Sequence, residues 1–282
     1  MESKSLIIIG DARRMPELED ESVHLIVTSP PYFNVKDYGT SQGNIGAFGD
    51  YYEYLKALHQ VFSECYRVLD EGRCICVNVS DVMSSNQKYP IPFHTLPILE
   101  RAGFRYRDDI IWKKPSGVGQ NAGGGAAKRF GVFLQNPYPM YYYPNNIYEH
   151  VLIFRKGEFD YKKIPQEKKI QAKFDLEQAR QYLNCDVWEI APATQNQFSR
   201  DAHPAMFPEI LPATLISLFT YLGETVLDPF LGSGTTLRAA RRLGRLGVGY
   251  EVNKAYLPLI KRKVGFSEED FEIIIRGGER NE

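Results

Sequence analysis

Val23-His24-Leu25-Ile26-Val27-Thr28-Ser29-Pro30-Pro31-Tyr32 is the stretch on which the fold turns. Residues 23–27 form a short apolar run, which predicts a buried strand. Two successive prolines offer no backbone N–H and hold the chain extended, so the strand must stop before them. Ser29 and Tyr32 are thereby set on a rigid support at a strand's carboxyl end, where open α/β sheets bind ligands. Two plainer readings are a simple strand-ending turn and a polyproline segment for a recognition module. The latter belongs in polar, disordered sequence, whereas this one lies between a strand and a long aromatic stretch.

Outward from that point, strands and helices alternate. Leu6-Ile7-Ile8-Ile9 is a strand closing at Gly10-Asp11, so Asp11 also sits at a carboxyl end. There it can meet a ligand amine or hydroxyl, or cap the turn that begins at Ala12. Residues 33–50, rich in Gly, Asn, Asp and aromatics, predict a mobile loop over the site. Apolar spacings of three and four predict a helix over 51–69, with Gly72 as its stop. Strands follow at 73–79, 108–112 and 148–154, with a helix over 93–102 stopped by Gly103. Residues 116–146 are an irregular insert, and a helix fits 174–183. A helix over 208–222 precedes the very short strand 225–227; then come a helix over 235–243 and a strand over 246–250. Glu251 closes that strand, and Asn253 caps a final helix. The alternation predicts an α/β protein with a largely parallel sheet.

The 282 residues, 43% hydrophobic and 24% charged, suit a globular protein. No apolar run reaches the roughly 18 residues of a membrane span, and the run at 6–9 is too short for a secretory signal. A cytoplasmic protein without membrane contact is therefore expected. Cys65, Cys74, Cys76 and Cys185 form no Cys-x-x-Cys pair, so no metal site is expected. Cys74 and Cys76 alternate with Ile75 and Val77, as small core residues of a strand would. The net charge is −1, yet residues 113–173 carry 11 Lys/Arg against 4 Asp/Glu. A basic middle between acidic flanks reads either as a nucleic-acid footprint or as a solvated lysine-rich insertion.

Asp228-Pro229-Phe230-Leu231-Gly232-Ser233-Gly234-Thr235-Thr236 is a glycine-rich turn between a strand and a helix. Glycines admit a ligand close to the backbone, and the helix start presents unbonded N–H groups. A phosphate-binding loop would need Gly-Lys-Ser/Thr, but Thr235 follows Gly234. The dinucleotide fingerprint would need Gly or Ala where Leu237 stands. S-adenosylmethionine needs neither, because it has no phosphates. Asp228 can meet its ammonium group, directly or through water, and Glu251 can take its ribose hydroxyls. The plainer role for Glu251 is a helix-start charge beside Asn253.

Together the two motifs resemble those of the amino-methyltransferases that modify DNA at exocyclic nitrogens, Ser29-Pro30-Pro31-Tyr32 and Asp228 to Thr235 standing in the permuted order of the beta group. Gly10-Asp11, the segment from His203-Pro204 to Pro208, and Glu251 also match. The resemblance implies a Rossmann-like methyltransferase fold, with a seven-stranded, mostly parallel sheet and one antiparallel strand. It implies Asp11 at the cofactor adenine, and His203, Phe207 and Pro208 at the methionine end. Phe230, Gly232, Ser233, Gly234 and Thr235 complete the cofactor site. Residues 1–115 would be the catalytic half and 201–282 the cofactor-binding half. Residues 116–200 would be a basic target-recognition region, interrupted by the core strand near 148–154. Lys113, Lys114, Lys128, Arg129, Arg155 and Lys156 are the expected contacts to double-stranded DNA.

The chemistry suits those residues. An exocyclic amine is a poor nucleophile because its lone pair is delocalised into the ring. The Ser29 hydroxyl and Pro30 carbonyl can accept its two N–H bonds, with Pro31 keeping the turn rigid and Tyr32 stacking on the extruded base. Carbon-5 methylation of cytosine would use a cysteine after proline, and the chain has no Pro-Cys pair. Ser at the first motif position implies cytosine N4, with adenine N6 as the alternative. An RNA or small-amine methyltransferase and a non-catalytic DNA-binding protein are the other readings. The resemblance also implies a partner restriction endonuclease, and leaves monomer or homodimer open.

Overall fold

The computed structural model describes residues 4–34, 43–84, 87–115, 139–140, 147–173, 185–193 and 207–276. In chain order these form β1 (Ser5–Ile9), β2 (Val23–Thr28), α1 (Tyr51–Val68), β3 (Leu69–Val79), β4 (Val82–Ser84), β5 (Gln87–Tyr89) and α2 (Ile91–Arg101). Then come β6 (Arg105–Lys113), β7 (Tyr148–Arg155), α3 (Gln166–Gln171), β8 (Val187–Glu189) and α4 (Ile210–Phe219). The chain continues through β9 (Thr225–Asp228), α5 (Thr235–Arg242), β10 (Leu246–Glu251), α6 (Leu257–Val264) and β11 (Phe271–Ile275). The helix expected at 174–183 lies outside the described residues.

One sheet of nine strands runs β11-β1-β10-β9-β2-β3-β7-β6-β8. Within this sheet β7 is antiparallel to both its neighbours, β3 and β6, and the other pairings are parallel, while β4 and β5 form a separate antiparallel pair. The seven strands read from the sequence are therefore present with one reversed, and β8 and β11 extend the two edges. Three residues in β8 are too few to display a period. Strand β11 is a short apolar run that could equally have continued a helix.

Apolar residues alternate between faces, and both faces are covered, as a mostly parallel sheet requires. Ile8, Ile26, Ile75 and Val77 pack under α1 and α2. Leu25, Val27, Cys74 and Cys76 pack under α4 on the opposite face, so the two cysteines fill the core as their alternation suggests. Helix α1 begins where Asp50 accepts a hydrogen bond from the Glu53 N–H at 2.9 Å, and it buries Tyr54, Leu58, Val61, Phe62 and Cys65. Each such large apolar side chain contributes about 1.5–3 kcal/mol when fully buried.

Gly72 does not stop α1. The helix ends at Val68 and passes directly into β3, with Gly72 inside that strand at φ +78°. A Cβ there would lie 2.7 Å from Phe159 Cα, because the returning backbone crosses at that point. Asn253 caps a 3-10 turn, Lys254–Tyr256, that leads into α6. From β9 the chain crosses to β10, and from β2 to β3 on the other side. The neighbouring carboxyl ends of β2 and β9 thus form the topological switch point at which a crevice opens.

Candidate active site

The crevice is a cleft of about 880 Å³, counting the space that opens to solvent. It brings together most of the residues singled out from the sequence. Asp11, Ser29, Pro30, Pro31 and Tyr32 line it from the β1 and β2 ends, and Phe207 from the entry to α4. Phe230, Gly232, Ser233, Thr235 and Glu251 line it from the glycine turn and the end of β10. Thr28 ends β2 at the expected place, and Tyr54 O–H donates to the Pro31 carbonyl at 3.1 Å. Among the described residues, none hydrogen-bonds the Ser29 hydroxyl or the Pro30 carbonyl. Two adjacent cleft-lining residues thus each keep an acceptor that no other described residue uses.

Asp228 is placed differently from its expected contact with a ligand ammonium. The residue is 1% exposed, and its carboxylate turns into the protein. It accepts from Thr28 Oγ1 at 2.7 Å, from Thr236 Oγ1 at 2.7 Å and from the Phe230 N–H at 3.1 Å. Burial pushes its pKa up to about 6, against the lowering effect of those three donors. Asp228 thus ties β2, β9 and the start of α5 together beneath the cleft. The sequence assigned no role to Thr28 and Thr236, since two threonines far apart carry no signal of a shared partner until the sheet joins them.

Glu251 lies in the cleft at 8% exposure. Its Oε2 accepts from the Gly232 N–H at 2.9 Å and its Oε1 from the Asn253 N–H at 2.8 Å. Burial raises its pKa to about 7, partly opposed by those backbone donors. Each oxygen keeps further acceptor capacity, which suits a pair of ligand hydroxyls. The local role beside Asn253 and the ligand-binding role are thus compatible. The Asp11 carboxylate accepts from the Arg13 N–H at 2.9 Å and from Arg13 Nε at 2.8 Å, so it caps its turn and pairs with Arg13 at the cleft edge. Arg276, just after β11, donates to the Asp11 carbonyl at 2.7 Å and fixes that turn.

Pro208 is buried, and its carbonyl accepts from the Leu211 N–H at 3.0 Å to start α4. Gly234 caps α5 at φ +90°, where a Cβ would sit 3.0 Å from Val264 Cγ1. His203, Lys128 and Arg129 lie outside the described residues.

The expected DNA contacts separate into two groups. Lys113 ends β6 at the cleft edge of the sheet and Lys114 follows it, paired with Glu189 at 2.7 Å and Glu149 at 2.9 Å respectively. Arg155 and Lys156 lie at the opposite edge, because β7 runs the other way. Lys156 is 6% exposed and donates to the Leu69 carbonyl at 2.8 Å, while Arg155 pairs with Glu158 at 2.8 Å. Those two residues therefore do not share a surface with the cleft, and Lys156 is structural.

Glu149 is a further residue that the sequence reading passed over. Tyr32 O–H donates to its Oε2 at 3.1 Å and Asn78 Nδ2 donates to the same oxygen at 2.7 Å, while Lys114 pairs with Oε1. The signal was a charge at an inward position of a strand whose next inward residues, Val151 and Ile153, are apolar. Glu149 anchors the hydroxyl end of Tyr32.

A family model described as DNA methylase, covering N6 and N4 methyltransferases, matches residues 23–262. The type II methyltransferase M.MjaI of Methanocaldococcus jannaschii is 33% identical over 96% of this chain and 96% of its own. The type II methyltransferase M.SmaI of Serratia marcescens is 28% identical over 92% of this chain and 90% of its own. The Thermus thermophilus protein TTHA0409, classed with the DNA modification methylases and solved with S-adenosyl-L-methionine, superposes with a TM-score of 0.72. It is 28% identical and the match covers 98% of this chain and 100% of that one. The PvuII DNA methyltransferase shares the fold, with a TM-score of 0.65 at 20% identity over 94% of this chain and 88% of that one. With that match spanning both motifs of the cleft, the chain belongs to the N6/N4 DNA methylase family.

Proposed function

We propose that the protein transfers a methyl group from S-adenosylmethionine to the exocyclic N4 of cytosine in duplex DNA, as the modification enzyme of a restriction–modification pair. The observation that carries this reading is the meeting, in one cleft, of the unbonded Ser29 and Pro30 acceptors with the glycine turn and Glu251. The cleft's chemistry fits the cofactor. Glu251 offers acceptors for two ribose hydroxyls, and Phe207 and Phe230 offer apolar walls. When bound, S-adenosylmethionine supplies an electrophilic methyl on a sulfonium. Ser29 Oγ and Pro30 O accept the two amine N–H bonds, draw the nitrogen out of conjugation and aim it along the line of attack. Tyr32, tethered through its hydroxyl to Glu149, offers its ring to the base once it has left the duplex. The nitrogen's surplus proton passes through one of those hydrogen bonds to solvent.

Serine at the first motif position favours cytosine N4 by the family resemblance. Residues 116–200 supply target recognition in this reading, and the remaining partner is an endonuclease cutting the same site. Incubation with labelled S-adenosylmethionine should place the methyl label on duplex DNA; label appearing only on RNA or on small amines would overturn the proposal.

A further inference from the structure

Lys263 is a cation beside the cleft that the chemistry above does not use. It stands in the last turn of α6, and its Nζ donates to Ser233 Oγ at 2.7 Å and to Thr235 Oγ1 at 2.6 Å. Both hydroxyls line the cleft. Its approach is fixed by packing, since the neighbouring Val264 is buried against Leu237 and Ile260 in the layer that holds α5 and α6 together.

An ammonium group has donors only. Each hydroxyl therefore uses a lone pair on Lys263 and keeps its own O–H to donate elsewhere. The two oxygens are 3.4 Å apart, well beyond the usual 2.7–2.8 Å of an O–H···O bond, so neither proton is well held by the other hydroxyl. The cleft is polarised as a result. Glu251 presents acceptors at one place, and Ser233 and Thr235 present donors backed by a positive charge at another.

We infer that Lys263 is a positioning residue for the methyl donor, holding the Ser233 and Thr235 hydroxyls as donors to the carboxylate of its amino-acid part. The inference rests on the S-adenosylmethionine reading above. Burial lowers the pKa of Lys263 to about 8, Arg238 adds to the lowering and Glu209 opposes it. A carboxylate held by the two hydroxyls would favour the charged lysine.

The test compares two ligands by titration calorimetry. S-adenosylhomocysteine carries the amino-acid part; 5′-methylthioadenosine keeps the adenine, ribose and thioether but lacks it. Lys263→Met should weaken S-adenosylhomocysteine binding about tenfold or more, the range for a lost charge-assisted hydrogen bond, while 5′-methylthioadenosine stays within about twofold. The double variant Ser233→Ala/Thr235→Val should show the same selectivity, and retained 5′-methylthioadenosine binding certifies a folded cleft. Equal loss for both ligands, or no loss for either, overturns the role of Lys263 and leaves the cofactor reading intact. A wild-type protein that binds neither ligand overturns the cofactor reading and this inference with it.

Discussion

Glu251 makes the cofactor site sensitive to pH in a direction that can be worked out. Its carboxyl is raised from 4.5 to about 7, chiefly by burial. At roughly 1.4 kcal/mol per pH unit, that corresponds to about 3 kcal/mol favouring the protonated form in the ligand-free fold. Because the folded value is the higher one, this stability is fully present below 4.5 and is lost as pH rises through about 7. Ribose hydroxyls donate, so they need the carboxylate, and binding runs the other way. S-adenosylhomocysteine affinity should climb as Glu251 ionises, be about tenfold weaker at pH ~6 than near pH ~8, and turn down above that as Lys263 loses its charge. Glu251→Gln removes the ionisation and turns an amide NH2 toward one of the backbone N–H groups that Glu251 now accepts from. Its affinity should be lower throughout and flat with respect to Glu251 titration. Calorimetry from about pH 5.5 to about 8.5 measures both profiles. A flat wild-type profile, or an unchanged profile in the variant, refutes the assignment of Glu251.

Ser29→Ala removes one of the two acceptors for the target amine, so turnover should fall about 10- to 100-fold while S-adenosylhomocysteine affinity holds within about twofold. Asp228→Ala strands Thr28, Thr236 and the Phe230 N–H, and urea denaturation should report a loss of about 3 kcal/mol or more, with weakened cofactor binding. Asp228→Asn, which keeps an acceptor for Thr28 and Phe230, should recover most of both. Gly72→Ala places a Cβ 2.7 Å from Phe159 Cα at φ +78° and should cost about 1–3 kcal/mol of stability without changing cofactor affinity.

The seven central strands were legible because strands covered on both faces write themselves as apolar runs, and Pro30-Pro31 and the Gly232–Gly234 turn mark where two of them end. The edges were not. Strand β8 has three residues, and β11 earns its place only through its pairing with β1. Most of the cleft was legible for the same reason, since motifs at the carboxyl ends of strands converge once the order of strands is known. What was illegible depends on direction and on distant partners. Reversal of β7 carries Arg155 and Lys156 away from the cleft, though their charge alone had joined them to Lys113 and Lys114. Asp228 looked like a ligand carboxylate until Thr28, some 200 positions away in the chain, was found to hold it. Lys263 was illegible because the glycine turn itself holds no lysine, and only the packing of α6 against α5 brings one to it from outside.

Digestion of DNA methylated by this protein to single nucleosides, followed by identification of the modified base by mass, tests the central proposal most directly. N4-methylcytosine is the expected product. N6-methyladenine would contradict the choice of base at Ser29, and the absence of any methylated nucleoside would contradict methyl transfer to DNA.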